Sequence, residues 1–436
     1  MKSTLILLAL SAAGLCWGQA PADCKPNPLN IPEAKYPCIF PDNRVMYRVI
    51  APNAQSVSVG NNLELKKGPD DVWSGTSAQP LVEGFHYYNL KIDGATVADP
   101  STRSYFGSGW WNAGIEIPAP DQEFYTPRQN VPHGRVSEQW YFSTVTGKWR
   151  RCFVYTPPDY DGGKNKYPVF YLQHGWGEDE TAWFTQGKVP YIMDNLIADK
   201  KAKPMIIVMD NLNAVKPGAS AMTFAGRGLV PDPSDHPAPP AARGGAGGRG
   251  AGAPGGPGGA PAGAAARGPA GAPGAPAGAA GGRGAGGRGG PGGGMLSGSA
   301  FTDMMLTDLI PMIEKTYRAL PGSANRAMAG LSMGGAQTKA TTMANLDKFS
   351  YIGLFSGGNI QMAEVTDPAA FKKQVKLVFM GNGQLEAGMI QPSTTAAADL
   401  KKAGINAVYF ESPRTAHEFL TWRRCLREFA PMLFNK

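Results

Sequence analysis

Apolar positions along this chain change their period near residue 133. Upstream they alternate in short runs: Val45, Tyr47 and Val49, then Val57 and Val59, then Tyr88, Leu90 and Ile92. Turn formers separate the runs at Ala51-Pro52-Asn53, Lys67-Gly68-Pro69-Asp70 and Asp93-Gly94. Alternation broken at this spacing predicts half-buried strands and a small β-sandwich over residues 25–117. A linker follows over 118–132. Residues 136–142 and 150–155 then predict a hairpin around Thr146-Gly147. Beyond it come near-continuous apolar runs at 169–172, 205–209, 327–329, 352–355, 376–380 and 407–411, separated by helical stretches such as 303–317. Strands that are apolar on both sides and alternate with helices predict a mostly parallel sheet covered on both faces. The expected fold class is therefore α/β: one larger domain over 133–436 behind a smaller N-terminal sandwich.

Two segments fit neither pattern. Lys2, the apolar run from Leu5 to Leu15 and Gly18-Gln19-Ala20 read as a secretory signal over 1–20, so a secreted or periplasmic location is expected after its removal. The run is too short to span a bilayer, and no other stretch is long enough. Cys16 follows Leu15 rather than a small residue, which argues against lipid attachment. The second segment, 237–295, is rich in Gly, Pro and Ala. Its Gly-x-y register breaks repeatedly, which argues against a collagen helix, and it has few side chains to bury. It reads as a disordered insertion in the α/β domain, a tolerated surface loop or else a tether or lid.

Charge changes the picture little. The formal net charge is +8, but Arg243, Arg249, Arg267, Arg283 and Arg288 of the insertion account for five, leaving +3. No nucleic-acid motif accompanies this balance, so no nucleic-acid partner is expected. The cysteines beyond the signal are Cys24, Cys38, Cys152 and Cys425. An even number in an exported chain fits one or two disulfides with three possible pairings, of which Cys24 with Cys38 is the local one. None stands at metal-ligand spacing, so neither a zinc site nor a cofactor is expected.

The chemistry concentrates in three places. Arg326-Ala327-Met328-Ala329-Gly330-Leu331-Ser332-Met333-Gly334-Gly335 is a short apolar strand, a G-x-S-x-G turn and a small-residue helix start. That is the form of a nucleophile elbow, in which a tight strand-to-helix turn exposes the serine hydroxyl above the sheet. Upstream, the strand of residues 169–172 runs into Gln173-His174-Gly175-Trp176-Gly177. A glycine-bearing turn there can aim a backbone N–H at an oxyanion, with the N–H of Met333 as the second donor. His174 itself reads as a buttress of the loop. Near the C-terminus, His417 is the only histidine that follows Ser332 and is therefore the candidate general base. The acid that orients it should follow a strand between the two. Glu386 is the only carboxylate in the loop after residues 375–380; Asp399 is the substitute, on a helical stretch, and Asp367 precedes the strand.

Together, Gly330-Leu331-Ser332-Met333-Gly334-Gly335, the loop Leu172 to Glu180, and Ala416-His417-Glu418-Phe419-Leu420-Thr421-Trp422-Arg423 resemble the esterase branch of the α/β-hydrolases. That branch holds the feruloyl and acetylxylan esterases of carbohydrate esterase family one, the enterochelin-esterase-like proteins and the mycolyltransferases. The resemblance covers about residue 123 to the C-terminus without the insertion. It implies a triad of Ser332, Glu386 and His417, and an oxyanion hole from the N–H groups of Trp176 and Met333. Gln384-Leu385-Glu386 departs from the shorter acidic cluster of many relatives, which leaves the register of the acid open. The N-terminal part, through Tyr47 to Ala54, Val72-Trp73, Tyr87 to Leu90 and Asp99-Pro100, resembles the immunoglobulin-like early-set domains that precede glycoside-acting enzymes. Trp110 and Trp111 are its candidates for stacking on sugar, although packing on the larger domain is the favoured role.

The resemblance implies a secreted serine esterase acting on acetyl or feruloyl esters of a plant-type polysaccharide. Trp176, Trp183 and Phe184 are candidates to line an aromatic acyl pocket, with packing as the other reading. A siderophore-type esterase, an acyltransferase or a non-catalytic carbohydrate-binding protein are the alternatives.

Overall fold

The computed structural model describes residues 21–219 and 299–435. The signal expected over 1–20 and the insertion expected over 237–295 lie outside the described residues. At the centre is an eight-stranded sheet: β1 (Arg135–Ser143), β2 (Lys148–Thr156), β3 (Val169–Gln173), β4 (Ile206–Asp210), β5 (Arg326–Leu331), β6 (Tyr351–Phe355), β7 (Leu377–Gly383) and β8 (Ala407–Ser412). Their spatial order is β1-β2-β4-β3-β5-β6-β7-β8. The first two pairings are antiparallel and the remaining five parallel. Every residue of β3, β4, β6 and β7 is buried, as expected for strands covered on both faces.

Register decides what meets at the carboxyl edge of this sheet. Gln173 pairs with Gly330, Leu331 with Phe355, Phe355 with Gly381, and Gly383 with Ser412. The segments that leave β3, β5, β7 and β8 therefore emerge side by side, the usual place for a site on an open α/β sheet.

Helices α1 (Val189–Ala198) and α5 (Phe419–Phe429) bury Val189, Ile192, Phe419 and Phe429 against Phe170, Ala327 and Phe379. The opposite face is covered by α2 (residues 300–316), through Phe301, Met304 and Ile313 against Val169, Tyr171 and Met328, and by α4 (Ala387–Lys402), through Ala396 and Leu400 against Ile352 and Val378. The period-two split of strand residues between these cores is what buried strands require. Helix α2 runs from Ala300 to Thr316 but contains a π segment, Met305–Leu309, in which the Ile310 N–H reaches back to Met305. Pro311, which has no N–H to donate, sits just after this slip.

The N-terminal strands are antiparallel, as expected, but fall into three small sheets of five, four and three strands. Frequent turns keep most of these strands to two to six residues. They share a core of Val45, Tyr47, Val57, Leu90 and Ile115. Cys24 and Cys38 form a disulfide, while Cys152 and Cys425 are buried free thiols.

The segment between the N-terminal strands and β1 is anchored to the larger domain rather than running loosely over it. Asp121 pairs with Arg424 at 2.7 Å and Arg427 at 3.0 Å. Arg423, wholly buried, is held bidentately by Glu116 of the strand Trp110–Ile117 at 2.6 and 2.9 Å, and its guanidinium lies 4.5 Å from the ring of Tyr125. The three-stranded sheet also places Phe85 and Tyr105 in the same core as Phe419, with the Phe85 and Phe419 rings 5.7 Å apart.

Candidate active site

Strand β5 ends at Leu331, and α3 (Met333–Ala344) begins two residues later. The residue between them, Ser332, has φ 74° and ψ −108°. A non-glycine residue held there stores on the order of 1–3 kcal/mol of strain, which its surroundings must offset. The Ser332 N–H donates to the Phe355 carbonyl at 2.9 Å, and its carbonyl accepts the Ala336 N–H at 3.0 Å. Gly330 and Gly334 are required by close approach. A Cβ on Gly330 would run into the Gly334 backbone, and one on Gly334 into the carbonyl of His174.

His417 lies on the loop that joins β8 to α5. Thr415 bonds Ser412 and Thr421 on one side, while on the other Glu418 caps α5 by accepting from the Leu420 and Thr421 N–H groups. The loop is thus pinned at both ends. The His417 ring is half-exposed and stands edge-to-face with Trp422 at 5.1 Å. Its Nε2 is 2.9 Å from the Ser332 hydroxyl, and its Nδ1 is 2.6 Å from Glu386 Oε1.

Glu386 precedes α4 and is nearly buried. Its second oxygen, Oε2, accepts from the Ser356 hydroxyl at 2.7 Å and the Gly383 N–H at 2.6 Å. Burial pushes this carboxyl up, but the bonds from His417, Ser356 and Gly383 outweigh it and hold the group below the ordinary glutamate range. A carboxylate only accepts, so it selects the His417 tautomer with the proton on Nδ1. That leaves the Nε2 lone pair facing Ser332.

The turn after β3 approaches the same serine. A Cβ on Gly175 would lie 3.6 Å from the Ser332 Cβ. His174, fully buried and with its pKa lowered by burial, has Nδ1 2.8 Å from the Gly175 carbonyl and accepts the Leu212 N–H on Nε2 at 3.0 Å. It braces the loop. The Gly175 N–H donates to Glu178 at 2.9 Å, and Trp176 follows it in the turn. Met333 opens α3, and first-turn N–H groups have no acceptor within their own helix.

One expected pocket residue lies elsewhere. Trp183 is 1% exposed, donates Nε1–H to the Gln173 carbonyl at 2.8 Å and packs on Phe355. Its helical spacing turns it into the core, where a large apolar ring gains most from burial. Phe184 is partly buried against the same core and packs on Phe153, with centroids 4.5 Å apart. Trp176 is 46% exposed and Trp111 59%. Asp399 is exposed on α4 and Asp367 caps a helix before β7. Ser356 and the second role of Trp422, whose Nε1–H donates to the Ser356 hydroxyl at 3.1 Å, were not anticipated. The only sequence hints are Ser356 directly after a buried strand and Trp422 in the H-E-x-x-x-W run. Among the described residues no cluster of three or more His, Cys, Asp or Glu is placed to hold a metal ion.

Comparison with known proteins bears on this arrangement. A family model described as "Putative esterase" matches residues 143–230 and 292–408. The chain is 38% identical over 424 residues, 95% of its length, to an endo-1,4-beta-xylanase/feruloyl esterase of Xylanibacter ruminicola. It spans about half of that relative, 48%. An enterobactin esterase of Shigella flexneri, solved in the presence of enterobactin, shares the fold with a TM-score of 0.53 at 14% identity, covering 90% of this chain and 92% of that one. A CE1 ferulic acid esterase of Anaeromyces mucronatus aligns at TM-score 0.48 and 20% identity over 72% of this chain and 96% of its own.

Proposed function

From the premise that this chain belongs to the "Putative esterase" family, we propose that it is an exported serine esterase that removes feruloyl or acetyl groups from a plant-type polysaccharide. One observation carries the mechanism: Ser332, His417 and Glu386 form a continuous hydrogen-bonded chain at the carboxyl edge of the sheet. Ser332 Oγ attacks the ester carbonyl as its proton passes to His417 Nε2. Glu386 keeps the ring in the productive tautomer and stabilises the imidazolium without itself taking the proton. The N–H groups of Trp176 and Met333 receive the oxyanion; one such donor is worth about 3–4 kcal/mol of barrier in comparable sites. The imidazolium returns its proton to the leaving sugar oxygen, and water repeats the sequence on the acyl-enzyme.

The substrate class is supported by the xylanase/feruloyl esterase relative, which the chain matches along 95% of its own length. The half-exposed Trp176 beside the turn suits a flat aromatic acyl group. The test is turnover of methyl ferulate and of feruloylated and acetylated xylo-oligosaccharides, with Ser332→Ala as the blank. Hydrolysis lost in that variant is expected. Turnover that survives it, or retained binding to xylan with no turnover of any ester, would refute the proposal.

A further inference from the structure

We propose that the N-terminal sheets position the oxyanion turn of the catalytic site, through Tyr87 and the buried carboxylate of Glu178. This rests on the esterase reading above and adds a role for residues that lie far from Ser332 in the chain.

Glu178 is 5% exposed, and its bonded partners are neutral: the Gly175 N–H at 2.9 Å and the Tyr87 hydroxyl at 3.4 Å. Burying a carboxylate is costly, and a cation is the usual compensation. If filling space were the only need, a neutral side chain would do so more cheaply. What the carboxylate does here is tie the turn that carries Gly175 and Trp176 to a tyrosine of another module.

Tyr87 belongs to the strand Gly84–Tyr88. Its hydroxyl is oriented by Gln186, which is itself buried and donates to it at 2.6 Å. With Gln186 donating to it, the hydroxyl proton has two acceptors at 3.4 Å, Glu178 Oε1 and the Phe106 carbonyl, and the carboxylate is the stronger acceptor of the two. The Tyr87 ring stands edge-on to Phe85 at 4.9 Å and to Phe419, two residues after His417, at 6.4 Å.

A second contact grips the other side of the turn. The Gly109 N–H donates to the Gly177 carbonyl at 2.8 Å. Gly177 has φ 74°, and a Cβ there would fall 2.8 Å from the Ser108 Cα. The bend between the strands Ser104–Gly107 and Trp110–Ile117 therefore lies directly on it. Residues 175–178 are held at three points, by Tyr87, by Ser108-Gly109 and by His174, while Gly175 faces Ser332. An oxyanion donor works only when preorganised, and a displacement of about 1 Å can cost on the order of 100-fold in rate.

Tyr87 and Glu178 are thus positioning residues, and kinetics separates that role from packing. In the full-length protein, Tyr87→Phe deletes only the hydroxyl, Glu178→Ala removes the tie, and Glu178→Gln restores an acceptor for Gly175. On methyl ferulate, kcat is expected to fall roughly 3- to 10-fold in Tyr87→Phe and roughly 10- to 100-fold in Glu178→Ala, with KM nearly unchanged and Glu178→Gln recovering much of the loss. Binding of phenylboronic acid, which forms a tetrahedral adduct on Ser332 with one oxygen in the oxyanion position, should weaken in parallel. If Glu178→Ala does not fold, Tyr87→Phe decides. Unchanged kcat and boronate affinity in folded Tyr87→Phe, or in folded Glu178→Ala, of an active enzyme would overturn this inference alone. A wild-type chain that hydrolyses no ester would overturn the esterase reading and this one with it.

Discussion

Removing the Ser356 hydroxyl should weaken catalysis although Ser356 touches neither Ser332 nor His417 in the hydrogen-bond chain. The hydroxyl donates to Glu386 Oε2 at 2.7 Å and accepts from Trp422 at 3.1 Å. A hydrogen bond to a charged group contributes about 1.5–3 kcal/mol. The Gly383 N–H remains on the same oxygen, so the lower end applies, and kcat/KM should fall on the order of 10-fold. Leaving the Trp422 Nε1–H buried without a partner should cost a further ~1–3 kcal/mol of stability. The pH profile has a definite sign. Glu386 is held below its ordinary value of 4.5, so the contribution of its carboxylate is present above that pH and is lost as pH falls through the lower, folded value. Without Ser356 one of the lowering bonds disappears while burial remains, so the acid limb should move to higher pH. Ser356 has φ 49°, a region that costs alanine but not glycine. Ser356→Ala and Ser356→Gly therefore lose the same hydroxyl with opposite backbone consequences. The assay is kcat/KM for 4-nitrophenyl acetate from about pH 4 to 9, with guanidinium unfolding alongside. Equal catalytic loss in both variants supports the hydroxyl as the cause. If Ser356→Gly stays within about twofold of wild type with an unmoved acid limb, the reasoning is wrong.

Three further outcomes follow from contacts already described. Gly334→Ala drives a methyl into the His174 carbonyl, where backbone meets backbone, so both the unfolding midpoint and esterase activity should drop; overpacking typically costs about 1–3 kcal/mol, and a variant as stable and active as wild type would show that the elbow has slack. Glu116→Ala strands the buried Arg423 and should destabilise by about 3–5 kcal/mol in guanidinium titrations, whereas Glu116→Leu combined with Arg423→Met should recover most of it; a single-variant loss below about 1 kcal/mol would count against the pair as a joint between the modules. Burial raises the Glu178 carboxyl from 4.5 to about 7, so the folded chain binds the extra proton between those values and stability should decline as pH rises across that window. Glu178→Gln should flatten the decline by roughly 2–3 kcal/mol in urea titrations repeated at pH 4.5 and 7.5, and an unchanged slope would refute the assignment.

Much of the site was legible in local pattern. The elbow at Ser332 declares itself because a strand, two close-approach glycines and a helix start must follow one another directly along the chain. The turn at His174 to Gly177 is equally local. His417 could be chosen by elimination, since no other histidine follows Ser332. The strands of the central sheet announced themselves by unbroken apolar runs. Trp183 was misplaced because a loop aromatic near a site looks the same in sequence whether its ring points to substrate or to core. The choice of Glu386 over Asp399 was open for a similar reason: both are carboxylates of the right chain order.

What the linear sequence determined is therefore backbone conformation and periodicity, which depend on neighbours within a few residues: where the chain is a strand, where it must turn tightly, and which serine that turn exposes. Tertiary structure decided everything that depends on strands paired from distant parts of the chain. The pairing of Gly383 with Ser412 brings Glu386 to His417, and β6 ending beside β7 brings Ser356 under the acid. Packing of the N-terminal sheets brings Tyr87 to Glu178 and Glu116 to Arg423. No local pattern records these contacts, because their energy comes from desolvation and hydrogen bonding between groups that become neighbours only when the sheet and its covering layers have closed.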